Sequence, residues 1–188
     1  MIVGVLAVQG AFIEHEKMLE RLGVRCVELR QASDLQGIDA LVLPGGESTV
    51  QGQLLHKLGL FEPVRALIAS GMPVLATCAG LILLAQHLEN DETTHLASIP
   101  ITVKRNAYGR QLGSFTTSTD VAGLTKYPAV FIRAPYITEV GEGVQVLAQV
   151  DGNNVGIEYG NQIALAFHPE MTNDTRIHEY FLNKIRKP

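Results

Sequence analysis

Short apolar runs alternating with helical repeats organise the first half of the chain. Ile2 to Val8 is a compact apolar run that reads as a strand. Phe12 to Leu22 then carries Phe12, Met18, Leu19 and Leu22 at helical spacing until Gly23 stops it. Val24 to Leu29 predicts a second strand, and Asp39 to Leu43 a third that ends in Pro44-Gly45-Gly46. Ser48 or Thr49 is placed to cap a helix running to about Leu58. Phe61 to Ser70 repeats the helical pattern, Val74 to Thr77 is a fourth strand, and a helix from Ala79 to about His87 follows. Such alternation predicts an α/β fold, a mostly parallel sheet covered by helices on both faces. Ligands on such sheets bind at the carboxyl ends of the strands, so Gln9-Gly10, Gly45-Gly46-Glu47 and Cys78 should gather at one rim.

From Ile99 onward the pattern changes. Ile99 to Lys104, Gly113 to Thr119, Ala129 to Arg133, Val144 to Val150, Val155 to Tyr159 and Ile163 to Phe167 read as additional strands joined by turns, largely antiparallel. Asp151-Gly152-Asn153-Asn154 is a strong hairpin signal. A final helix is expected from about Asn173 to Lys187. With no repeat or linker to divide it, the chain reads as a single domain, 1–188.

Composition narrows the classes. A chain of 188 residues with 46% hydrophobic content can bury a core without metal or disulfide staples. Net charge is −4, and no Lys/Arg cluster interleaves with aromatics, which disfavours nucleic acid as a partner. The Met1 to Val8 run lacks a basic leader and reads as a core strand rather than a signal peptide. No stretch approaches the ~18 apolar residues needed to cross a bilayer, so no membrane partner is expected. Cys26 and Cys78 are the only cysteines, and the simplest expectation is a reduced, cytoplasmic setting.

Chemistry concentrates at Cys78. A lone cysteine in an apolar run is most often an inert core residue. This one stands where a strand gives way to a helix, a turn that lifts a nucleophile off the backbone and aims free N–H groups at what it attacks. Ala76 occupies the place of the first glycine in the usual Gly-x-nucleophile-x-Gly turn, and Gly80 the second. His168 ends the apolar run 163–167 and can act as general base, with Glu170 two residues on to orient it. The other histidines, His15, His56, His87, His95 and His178, lack a paired acid at such a strand exit and are expected mostly at the surface. No second histidine or acidic cluster lies at ligand spacing, so no metal is expected. An oxyanion hole could be built from backbone N–H groups of Gly45 or Gly46 with that of Ala79. The Gly45 to Thr49 segment lacks the Gly-Lys-Ser/Thr of a phosphate loop. Arg105, Arg110 and Arg133 could recognise a carboxylate through paired hydrogen bonds.

Together, Leu43-Pro-Gly-Gly-Glu-Ser-Thr49, Thr77-Cys-Ala-Gly80, Arg105-Asn-x-Tyr-Gly-Arg-Gln111, Phe131-Ile-Arg-Ala-Pro135 and Phe167-His-Pro-Glu170 resemble the class I, triad-type glutamine amidotransferases. More narrowly, they resemble the glutaminase-subunit family of pyridoxal 5′-phosphate synthase. The resemblance implies a flavodoxin-like fold and hydrolysis of L-glutamine to glutamate and ammonia. It makes Cys78 the nucleophile, His168 the base and then acid, and Glu170 the orienting acid. Gly46, Glu47, Ser48 and Arg105 would bind glutamine, and Ile132 and Arg133 would line the same pocket. It also implies a barrel-shaped synthase subunit as partner, ammonia passed through a tunnel, and no cofactor on this chain. Two other enzyme readings stay open: the glutaminase subunit of imidazole glycerol phosphate synthase, and a related cysteine peptidase or stress protein. A binding module with a vestigial triad is the non-enzymatic alternative.

Overall fold

The computed structural model describes residues 1–109 and 113–185. β1 (Ile2–Leu6) leads to α1 (Phe12–Arg21), β2 (Arg25–Leu29), a 3₁₀ turn (Ala32–Leu35) and β3 (Ala40–Leu43). α2 (Ser48–Lys57), α3 (Phe61–Ala69), β4 (Val74–Thr77) and α4 (Ala79–Leu84) complete the α/β half. β5 (Ala85–Leu88), β6 (Ile99–Lys104), β7 (Ser114–Val121), β8 (Leu124–Ile132), β9 (Tyr136–Val140), β10 (Gln145–Val150), β11 (Asn153–Tyr159) and β12 (Gln162–Leu165) follow. A second 3₁₀ turn (Pro169–Met171) and α5 (Arg176–Ile185) close the described chain.

The main sheet runs β2-β1-β3-β4-β12-β11-β9-β6-β5, with β10 paired to β11. Strands β2 to β12 along that path are parallel, and the switch to antiparallel pairing comes at β12–β11. Every residue of β3, β4 and β12 is buried, as strands covered on both faces must be. Fully burying each such Leu, Val or Ile side chain contributes about 1.5–3 kcal/mol, so the centre of the sheet draws strong hydrophobic stabilisation. β7 and β8 form a separate ribbon, and β8 lies over the exit from β12, where His168 N–H donates to the Val130 carbonyl at 2.8 Å. The stacked Phe115–Phe131 pair on that ribbon packs on toward Phe167, 5.6 Å from Phe131.

Asp151 and Gly152 both have positive φ, 49° and 79°, between the paired residues Val150 and Asn153. That is the two-residue hairpin turn the sequence signals. Other expectations shift. The helix after Cys78 ends at Leu84 rather than His87, because Ala85 turns extended and Ala85–Leu88 pairs with β6 at the sheet edge. Strand β9 is absent from the sequence reading: only Ile137 of its five residues is buried, so the alternation that marks a strand is nearly silent. The residue preceding α2 is Glu47, with no side-chain cap, and Ser48 is already helical. α5 begins at Arg176 rather than Asn173, since Asp174 accepts from the Arg176 N–H at 3.1 Å and Asp174 N–H itself donates to Thr172 Oγ1. The expected end of that helix at Lys187 lies outside the described residues, as do Arg110 and Gln111.

Candidate active site

Cys78 occupies the corner between β4 and α4 with φ 47° and ψ −98°, a region that L-residues rarely adopt. The corner is over-determined. Cys78 N–H donates to the Leu165 carbonyl at 2.8 Å, extending the β4–β12 ladder by one residue. Gly80 lies so close to the backbone of Leu43 that a β-carbon there would sit 3.0 Å from the Leu43 carbonyl carbon and closer still to its oxygen. Ala76, where the sequence pattern departs from a glycine, pairs regularly between Leu43 and Ala164, so the unusual backbone falls on Cys78 alone.

His168 leaves β12 on the same rim. Its Nδ1 lies 2.6 Å from Glu170 Oε1, and both side chains are buried. The imidazole and the Cys78 side chain both press against Gly45, whose β-carbon position would lie 2.9 Å from His168 Nδ1, nearer Cε1, and 3.4 Å from Cys78 Cβ. His168 Nε2 forms no hydrogen bond here, a common state for a catalytic base before substrate closes the geometry. Burial disfavours a charged ring, yet the Cys78 sulfur in its ionised form and the Glu170 carboxylate outweigh it and raise His168 to about 10. Burial likewise pushes Glu170 up, but the His15 and His168 rings more than offset this and leave it lowered. The arrangement favours an imidazolium between two groups that welcome it.

A cavity of about 300 Å³ opens over Cys78 and His168 and is lined also by Gly45, Gly46, Glu47, Ser48, Arg105, Ile132 and Arg133. Every glutamine-binding candidate from the sequence is therefore on one wall or another. Ala79 is not among the lining residues and is 1% exposed. The Gly45 carbonyl is turned away by the Ala11 N–H, which donates to it at 2.9 Å, and the Glu47 N–H is taken by Gln9 Oε1 at 2.8 Å. Gly10, with φ 100°, packs against Gly45 too tightly for any side chain. Arg105 reaches Glu47 Oε1 at 3.3 Å and Asp91 Oδ2 at 3.5 Å, so its guanidinium is held at the mouth by two carboxylates. Asn106 and Gln9 also line the cavity; the sequence places Gln9 at this rim and does not single out Asn106.

Two histidines correct the sequence reading. His15 and His178, expected at the surface, are fully buried. His15 Nε2 stands 3.3 Å from Glu170 Oε2 and 3.1 Å from Thr77 Oγ1, and its Nδ1 is 3.0 Å from His178 Nε2. Helical spacing gave a weak signal: His15 falls three residues before Met18, on the buried face of α1. Among the described residues no group of three or more His, Cys, Asp or Glu side chains is arranged to hold a metal. No described helix is long and apolar enough to cross a membrane.

Comparisons with known proteins agree with this architecture. Residues 5–187 match the SNO glutamine amidotransferase family. A pyridoxal 5′-phosphate synthase subunit PdxT of Desulfitobacterium hafniense is 61% identical over 98% of this chain and 94% of its own length. One from Methanocorpusculum labreanum is 56% identical over 98% of each chain. A solved structure described as a glutamine amidotransferase superposes with a TM-score of 0.94 at 42% identity over the full length of both chains.

Proposed function

The chain belongs to the SNO glutamine amidotransferase family, and from that premise we propose that it is the glutaminase subunit of a pyridoxal 5′-phosphate synthase. The observation that carries the chemistry is the convergence of Cys78 and His168 on Gly45, with Glu170 2.6 Å behind the imidazole. Near-complete alignment with PdxT chains at up to 61% identity favours this client over imidazole glycerol phosphate synthase. The same alignment favours it over the related cysteine peptidase or stress-protein reading.

In this reading Cys78, as thiolate, attacks the side-chain amide carbon of glutamine. The developing oxyanion is met by a backbone N–H of Gly45 or Gly46, which line the cavity, joined by that of Ala79 once glutamine seated on Cys78 reaches the start of α4, while the His168 imidazolium protonates the departing amide nitrogen to release ammonia. A glutamyl thioester remains on Cys78. His168, now neutral, takes a proton from water, and the resulting hydroxide attack on the thioester releases glutamate and restores the thiolate–imidazolium pair. Glu170 holds the ring in one tautomer and balances its charge. Arg105 and Arg133 at the cavity mouth, with Gly46, Glu47, Ser48 and Ile132, bind the amino-acid end of glutamine. Ammonia protonates in bulk water and ceases to be a nucleophile, so it passes directly to a synthase barrel subunit. The phosphorylated substrates belong to that partner. The whole chain, 1–188, acts as one domain, and its two unpaired cysteines suit the cytoplasm.

The test is glutamate and ammonia release by the purified chain, with and without a synthase subunit. Activity that appears with the partner and vanishes in Cys78→Ala, at unchanged circular dichroism, supports the proposal. Retained ammonia release in that variant removes Cys78 as nucleophile.

A further inference from the structure

Glu170 uses only one of its oxygens on the triad. Oε1 meets His168, whereas Oε2 is buried and forms no aligned hydrogen bond. The ring nitrogen beside it is His15 Nε2, 3.3 Å away, and that same nitrogen lies 3.1 Å from the hydroxyl of Thr77, the residue immediately before Cys78. His15 therefore touches the strand end that carries the nucleophile and the turn that carries the acid.

Hydrogen-bond accounting assigns its tautomer. A buried carboxylate oxygen 3.3 Å from an unprotonated ring nitrogen would set lone pair against lone pair, which assigns the proton to Nε2 in preference to a Thr77 hydroxyl donating there. Nδ1 is then an acceptor, and the atom facing it, His178 Nε2 at 3.0 Å, must donate. Both rings are thereby neutral, in keeping with burial, which lowers His15 and depresses His178 further. The remaining His178 Nδ1 is buried without a partner, as an unprotonated nitrogen in this scheme is left.

We propose that His15 is a positioning residue of the active site, its Nε2–H shared between Glu170 Oε2 and Thr77 Oγ1, and that His178 fixes the tautomer that makes this possible. The inference rests on the triad reading above and extends it by two residues, from α1 and α5. His15 does not line the glutamine cavity, so it acts through Glu170 rather than on substrate. The groups facing it are Glu170 from the 3₁₀ turn, His168 from the β12 exit, His178 from α5, Thr77 from β4 and Glu14 from its own helix.

Two substitutions separate positioning from packing. In His15→Gln the amide N–H falls near the Nε2 position, whereas in His15→Asn it falls short of Glu170. Withdrawing a donor from a buried carboxylate is expected to lower kcat by about 10- to 100-fold in the Asn variant, with KM unchanged. The acid limb of its kcat profile should move to higher pH, because Glu170 loses a partner of its charged form and protonates sooner. The Gln variant should recover most of the rate and return the limb toward wild type. A second readout needs no glutamine: the pH profile of iodoacetamide alkylation, followed on the Cys78 peptide by mass, should shift in the Asn variant and recover in Gln. Equal behaviour of Gln and Asn, or an unmoved limb, overturns the inference. If wild type itself releases no ammonia, the proposed function fails, and the alkylation profile still decides the role of His15. If His15→Asn does not fold, His178→Gln against His178→Leu applies the same comparison one step back.

Discussion

Gly45→Ala places a single methyl group at the point where the proposed nucleophile and base meet. Gly45 does not have a positive φ, so alanine suits its backbone, and the substituted residue keeps its N–H. The cost falls on the imidazole. The new β-carbon would stand 2.9 Å from His168 Nδ1, and closer to Cε1, where carbon contacts normally settle at about 3.5–4.0 Å. On the other side Cys78 Cβ is 3.4 Å away and leaves no room to share the strain. The ring must withdraw by roughly 1 Å, a displacement that typically costs on the order of 10²-fold in rate. Moving it also stretches the 2.6 Å contact to Glu170, a charge-assisted bond whose loss destabilises the fold by about 1.5–3 kcal/mol. The assay is steady-state ammonia release with the synthase partner present, alongside a urea titration. We expect kcat to fall about 100-fold with KM little changed, because the methyl points at the base rather than at the mouth of the cavity. Activity within about threefold of wild type would falsify the assumption that this ring position is needed.

Two further outcomes follow from the electrostatics. Arg105→Gln removes the guanidinium that bridges Glu47 and Asp91 at the cavity mouth, and should raise KM for glutamine by about 10-fold or more while leaving kcat nearly unchanged; an unchanged KM in steady-state kinetics would remove Arg105 from substrate recognition. Stability should fall on mild acidification. His15 and His178 have folded pKa values below the unfolded 6.5, so below that pH the unfolded chain takes up protons that the folded one refuses. Between pH 6.5 and 5.5 the pair should remove stability, with about 2 kcal/mol as the ceiling for two rings that stay neutral throughout, while His168, raised and already charged when folded, restores a few tenths. Glu170, lowered, adds its own loss only further down, as pH falls from its ordinary 4.5 toward its folded value. Urea midpoints at the two pH values with a constant slope read this directly, and a flat response would mean the two rings are not held neutral.

The strands that carry the site were legible because nothing competes for their pattern. Val74 to Thr77 is wholly apolar or β-branched, bounded by Gly71-Met72-Pro73 and by the small residues that follow Cys78, and the structure returns those bounds. Ile99 to Lys104 is recovered for the same reason, with burial alternating residue by residue. Where burial and hydrophobicity part company, the reading fails. Ala85-Gln86-His87-Leu88 continues a run of leucines and looks helical, yet its backbone pairs with β6. Strand β9 pairs through its backbone with β6 while pointing most of its side chains outward. The triad candidates sit at strand exits and could be named from local pattern. His15 could not, since its importance arises from Glu170, 155 positions along the chain, and only the fold supplies that pairing.

That fold-level pairing also explains why the corner at Cys78 can persist. Residues in such sparsely populated backbone regions cost about 1–3 kcal/mol, and isolated at a loop they would relax. Here the register Leu165↔Thr77 brings the ends of β4 and β12 level, so that the next residue on one strand is Cys78 and the exit of the other leads to His168. Cys78 N–H is tied to Leu165, His168 N–H to Val130, and Thr77 to His15. A slip of one residue between β4 and β12 would turn each side chain to the opposite face and separate sulfur from imidazole. The same slip would exchange the small Ala76 and Ala164 with larger neighbours such as Leu165 between two closely covered faces, leaving voids on one and overpacking the other. Register here is enforced by hydrophobic burial several residues from the chemistry, and the strain at the thiol is sustained by a core that has no lower-energy way to close.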